Sequence, residues 1–139
     1  MNSQKNEFAT VLNCMDGRVQ MSVNEVVRNL FQVHYVDTIT EAGIVKFLSE
    51  ETQSAQTEAT LASIRISLEC HGSRAIAVAA HHNCAGNPRE EGDQKAQLQA
   101  AVRFLTKRFK NCRIAAVWVG DTWNASVLEN LPAKEATKT

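Results

Sequence analysis

Cys14-Met15-Asp16-Gly17-Arg18 and, far downstream, His81-His82-Asn83-Cys84 hold the side chains of greatest chemical reach in this sequence. They supply two thiols, an imidazole, a carboxylate and a guanidinium. Two thiolates and one imidazole are a recognised ligand set for zinc, and three protein ligands leave a fourth position for water, as catalytic zinc sites do and structural ones usually do not. An ion so held lowers the pKa of a bound water to about 7 and provides a hydroxide nucleophile at neutral pH. Cys14, His81 and Cys84 are therefore the expected metal ligands. Asp16 lies two residues beyond Cys14, so in an extended turn it projects toward the same ion, and Arg18 follows at the same interval.

The elements that would position these groups are short apolar runs. Phe8 to Asn13 ends at Cys14, and Ala75 to Ala80 ends at His81; both have the length and composition of buried strands. Both clusters then sit at C-terminal strand ends, where open α/β sheets bind their ligands. Val33 to Ile39 and Ile114 to Val119 complete an expected set of about four strands. Between them, Ser22-Val23-Asn24-Glu25 has the form of a capping box, followed by Val26, Val27 and Leu30 at helical spacing. Ser49 to Thr60 is expected to be a loop merging into a helix that carries Leu61, Ile64 and Leu68 and stops at Gly72. Gly86 to Asp93 reads as a surface loop, and Gln94 to Lys110 as a helix with Leu98, Val102, Leu105 and Phe109 on one face. Strands alternating with helices predict an α/β domain with a mainly parallel sheet and helices on its faces.

A chain of 139 residues matches the size of one domain, with residues 132–139, polar and opening on Pro132, expected to form a flexible tail. Lysine plus arginine equals aspartate plus glutamate, 15 against 15, so no global basic field draws the chain to nucleic acid or to an anionic membrane. No apolar stretch approaches the roughly 20 residues that span a bilayer, and Met1 to Glu7 is too polar for a signal peptide. A cytoplasmic protein acting on a small molecule is expected. In that compartment four cysteines favour metal binding or free thiols over disulfides. Cys70 and Cys112 are expected to be structural, packing as small hydrophobes.

Cys-x-Asp-x-Arg and His-x-x-Cys, in this order and each following a strand, resemble the β-class carbonic anhydrases. Glu41-Ala42-Gly43 stands where that family usually has Asn-Ala-Gly, and the order from Leu61 through Gly72 to Cys84, then Trp118-Val119-Gly120, also follows it. The resemblance spans roughly residues 8–125. It implies zinc on Cys14, His81 and Cys84, reversible hydration of CO2 to bicarbonate, and a dyad in which Arg18 holds Asp16 ionised and oriented. Asp16 then accepts a hydrogen bond from the hydroxide, so that a lone pair faces the substrate. In some relatives the same aspartate occupies the fourth zinc position and closes the site. A homodimer or higher homo-oligomer is implied, with the active site between subunits. Thr40-Glu41 replaces the usual Arg-Asn, which removes a guanidinium and adds a carboxylate; Ala85 precedes Gly86 where glycine usually follows the cysteine directly. Only thirteen residues precede Cys14, which implies a smaller or different dimer interface.

Two other functions fit the same residues. CS2 and COS are linear molecules like CO2 and would be hydrolysed by the same nucleophile. Alternatively the domain binds zinc without turnover, as an interaction or sensing module; Asp16 and Arg18 speak against this, and the altered Thr40-Glu41 loop speaks for it. His82, adjacent to His81, points elsewhere if the chain is still extended there, as a support or proton relay or as a solvated histidine. His34 and His71 carry no motif. Trp118 and Trp123 are expected to be packing residues, and Arg103, Lys107, Arg108 and Lys110 the wet side of a helix.

Overall fold

A computed structural model describes residues 7–51 and 53–134. Its strands are β1 (Phe8–Asn13), β2 (Tyr35–Thr40), β3 (Ala75–His81), β4 (Arg113–Val119) and β5 (Ala125–Leu131), in the sheet order β2-β1-β3-β4-β5. The first four are parallel to one another, and β5 returns antiparallel along β4. The helices are α1 (Gln20–Phe31), α2 (Ile44–Glu50), α3 (Ala55–His71) and α4 (Glu91–Arg108). The expected α/β class with a mainly parallel sheet is therefore present.

Alternation within β3 decides how the helices pack. Ala75, Ala77 and Ala79 face one side with Ala9, Val11, Ala115 and Val117, and meet Val23, Val27 and Phe31 of α1. Ile76, Val78 and Ala80 face the other side with Leu12, Ile114 and Trp118, against apolar residues of α2, α3 and α4. The alanine-rich face lets α1 lie close, while the larger face accommodates the other helices. Each fully buried Ile or Leu there stabilises the fold by about 1.5–3 kcal/mol relative to exposure. Helix α3 begins at Ser54, whose hydroxyl accepts from Thr57 N–H, and ends at Gly72 in the left-handed region with φ +72°. That conformation favours glycine.

Several expectations need correction. The sheet has five strands rather than about four. β5 lacks an apolar run because most of its residues are exposed, and it ends at Leu131, just before the expected tail. The tail expected at 132–139 lies outside the described residues from 135 onward. Ser22 does not cap α1: the chain is already helical from Gln20, after a single 3-10 turn at Gly17–Val19 that Asp16 caps. The segment expected as loop from Ser49 is shared between the end of α2 and the capped start of α3. Helix α2 itself was not expected; it buries Ile44, Val45, Phe47 and Leu48. Cys112 is buried as expected, but Cys70 is exposed on α3 and fills no core. Among the described residues no helix is long and apolar enough to cross a membrane.

Candidate metal centre

Because β1 and β3 are parallel neighbours, their C-terminal ends open on the same rim, and Cys14, His81 and Cys84 meet there. All three side chains are buried, and their donor atoms lie within 4.8 Å of one another. The Cys14 and Cys84 Sγ atoms are 3.8 Å apart. That is far beyond a disulfide bond of about 2.05 Å. It equals the edge of a tetrahedron whose centre lies about 2.3 Å from each sulfur, the usual zinc–thiolate distance.

The imidazole is set up to match. His81 is 1% exposed, and its Nδ1 lies 2.8 Å from the His82 carbonyl oxygen. A carbonyl only accepts, so Nδ1 carries the proton and Nε2 presents a lone pair. That Nε2 is buried and has no hydrogen-bond partner. Burial lowers the His81 pKa and so favours the neutral, ligating form. Burial, and then the neighbouring Cys14 sulfur, pushes the Cys84 thiol up. A thiol so raised gives up its proton readily only to a cation, which couples metal binding at Cys84 to proton release. The donor set, the sulfur spacing and the orphaned Nε2 all fit a zinc ion.

Asp16 and Arg18 stand beside this group. Asp16 Oδ1 accepts from Arg18 Nε at 3.0 Å and from its backbone N–H at 2.8 Å, while Oδ2 accepts from Arg18 Nη2 at 2.7 Å. This is a bidentate fork. The Arg18 hydrogen bond holds the Asp16 carboxyl down at about 2. Oδ2 is also 4.0 Å from His81 Nε2, so the carboxylate borders the donor cluster without joining it. Arg18 Nη2 donates further to the Asn83 carbonyl at 3.2 Å, which ties the β1 loop to the β3 loop.

Polar side chains that attract no notice in the sequence hold the two loops. Asn13 Oδ1 accepts from Cys14 N–H at 2.9 Å, and Gln20 Nε2 donates to the carbonyls of Cys14 and Asp16, each at 2.7 Å. Gln94 Nε2 donates to the His81 carbonyl at 2.9 Å. Their signal in sequence is faint: amides bordering apolar runs are common on any surface. Gly43 has φ +60°, its N–H points at Cys14 Sγ at 3.4 Å, and a side chain there would meet Gly86 O at 2.6 Å. Both glycines are required by that close approach of loop to loop. Glu41, by contrast, is exposed and its carboxylate is not one of the three donors.

The ring of His82 is exposed and stands edge-on to Trp123 at 6.0 Å, so it is the His82 carbonyl rather than its imidazole that supports His81. Trp118 is buried in the core as expected. Trp123 packs as well, but its ring also lies 4.2 Å from the Arg18 guanidinium. His71 bonds Asp37 at 2.7 Å, away from this rim.

The model of the family described as "Putative carbonic anhydrase" matches residues 4–129. No curated protein matches the chain in sequence. Among solved structures, a tetrameric β-carbonic anhydrase from the filamentous ascomycete Sordaria macrospora is similar with a TM-score of 0.59 at 10% identity, over 91% of this chain and 83% of that one. The β-carbonic anhydrase CcaA gives a TM-score of 0.56 at 11% identity, over 99% of this chain and 81% of that one. At such identities the structures speak for the shared fold, and the family match speaks for descent. The chain belongs to the family described as putative carbonic anhydrase, and it shares the fold of the β-carbonic anhydrases.

Proposed function

We propose that this protein is a zinc-dependent carbonic anhydrase that interconverts CO2 and bicarbonate. The observation that carries this reading is the Asp16–Arg18 fork bordering the three-donor cluster, with Oδ2 4.0 Å from His81 Nε2. A purely structural zinc needs no such pair. Cys14, His81 and Cys84 would hold the ion, which when bound supplies an activated water at neutral pH.

The chain's own residues do the remaining tasks. Asp16, ionised and able only to accept, takes a hydrogen bond from a water beside it and turns that water's lone pair toward the substrate carbon. Arg18 keeps the carboxylate in its own fork and away from the donor cluster. Because the folded Asp16 pKa lies near 2, below its ordinary 3.8, its contribution to stability is present above about 3.8 and is lost only as pH falls through about 2. Asp16 thus stays ionised across the whole neutral range. Any rise of activity near pH 7 therefore belongs to another group.

The Sordaria macrospora enzymes are tetrameric. By the same reading this chain assembles with copies of itself, and among the described residues β2 has no strand beyond it at its edge of the sheet, where Tyr35 is exposed.

Stopped-flow CO2 hydration by zinc-loaded protein over a pH series tests the proposal, with CS2 and COS assayed beside it. Activity should rise through the neutral region. Asp16→Asn should keep its zinc and lose about 10–100-fold in turnover. Full zinc occupancy without turnover of CO2 sinks the proposal; turnover of CS2 or COS alone would make it a hydrolase on the same site, and turnover of none a zinc-binding module.

A further inference from the structure

Trp123 combines an unfavourable backbone with an unusually central side chain. Its φ is +65°, in the left-handed region that bulky residues avoid, within a turn closed by its N–H on the Gly120 carbonyl at 3.0 Å. Strain of this kind persists only where the surroundings impose it, and it gathers at functional positions. The conformation brings the indole over the Arg18 guanidinium, 4.2 Å from Cζ to the ring centroid. The same ring lies 6.3 Å from the His81 ring and 6.0 Å from the His82 ring.

Arg18 needs such a partner. Its side chain is 48% exposed, so solvent competes for every hydrogen bond that it makes. Asp16 and Asn83 fix its edge, but bonds in the guanidinium plane leave rotation out of that plane to be resisted by something else. An indole face supplies this: it attracts the cation through its quadrupole and blocks water from one side of the plane. The loops after β1, β3 and β4 then converge on one guanidinium.

We propose that Trp123 is the positioning residue of this site: by stacking on Arg18 it locks the fork that keeps Asp16 turned out of the donor cluster. The proposal rests on the zinc-hydration reading only for its kinetic consequence. The lock on Arg18 is a property of the chain itself.

Two variants of zinc-loaded protein separate the effects. Trp123→Phe keeps an aromatic face and Trp123→Leu keeps apolar bulk without one. Hydrogen exchange of the Arg18 Nε–H is followed by NMR, its resonance identified by loss in Arg18→Lys, together with kcat and KM for CO2. Trp123→Leu should speed Nε–H exchange and lower kcat, each roughly tenfold with KM little changed, and Trp123→Phe should stay within about threefold of wild type. Unchanged exchange in Trp123→Leu overturns the proposal, as does a Phe variant as impaired as the Leu variant. If the wild type hydrates no CO2, the proposed reaction fails, yet faster exchange in Trp123→Leu still upholds the lock.

Discussion

Two polar clusters border β1, one packed beside the strand and one beyond its C-terminal end, and they obey different rules. Between β1, β2 and α3, Thr10 Oγ1 bonds Ser67 at 2.6 Å and Ser73 at 2.8 Å, and Ser67 donates to Asp37 at 2.7 Å, which also bonds His71. Ser73 passes the chain on to the Ala75 carbonyl. Serine, aspartate and histidine are the residue types of a nucleophilic triad, yet here the aspartate bridges the other two, leaving the serine with no base to activate it. Every one of these groups has a partner. At the rim beyond Cys14, His81 Nε2 is buried with none, and two sulfurs face each other at 3.8 Å. A closed polar network rigidifies a fold; a convergent set of donors left open is built around something to be bound.

Removing one member should therefore do the most harm where the set is open. Cys84→Ser should release the metal, taking zinc content from about one ion per chain to near none. The linked stability goes with it, about 2.7 kcal/mol when free zinc stands at 100 times its Kd. Metal analysis and thermal unfolding read both quantities, and a chelator should bring wild-type protein to the same unfolding midpoint. Full zinc occupancy in Cys84→Ser would remove Cys84 from the ligand set and blur the contrast between the two clusters.

Ser67→Ala probes the closed cluster and should have a smaller effect. Thr10 keeps Ser73 and Asp37 keeps His71, so no buried partner is stranded completely, and the expected loss is about 1 kcal/mol. Zinc content and CO2 hydration should not change. If this variant lost its metal, the two clusters would be one coupled unit rather than two.

The open cluster was far more legible in the sequence than the closed one. Cysteine and histidine at the ends of the β1 and β3 runs announce themselves by type, whereas Thr10, Ser67 and Asp37 are ordinary residues until the fold stacks β2 and α3 beside β1. The same limit explains the missed elements. β3 and β4, buried on both faces, read as continuous apolar runs, but β5 pairs along an exposed edge and carries Ser126, Glu129 and Asn130. Helix α2 is too short for its period to show; Gly43 starts it, and packing against α4 holds it. Trp123 was legible as an apolar residue and illegible as a neighbour of Arg18, since a stack between residues so far apart in the chain exists only after β4 is in place.

Thiol labelling sharpens the comparison without any substitution, because it reads the access and ionisation of the rim cysteines against those of cysteines elsewhere in the fold. Cys70 is exposed on α3, whereas Cys112 is buried and its pKa is pushed up to about 11 by burial. The thiolate is the reacting form, so at pH 8 Cys112 is disfavoured twice, by access and by ionisation. In native zinc-loaded protein an aromatic disulfide reagent should therefore titrate Cys70 quickly. Chelation should add Cys14 and Cys84, which the ion no longer shields, and Cys112 should follow only on unfolding. Raising the pH toward 9 should leave Cys112 slow, since its value still lies well above that range. Rapid labelling of Cys112 in the native protein would mean that the face carrying α4 opens locally, whereas slow labelling of Cys14 and Cys84 after chelation would mean that burial alone, without the ion, protects the rim.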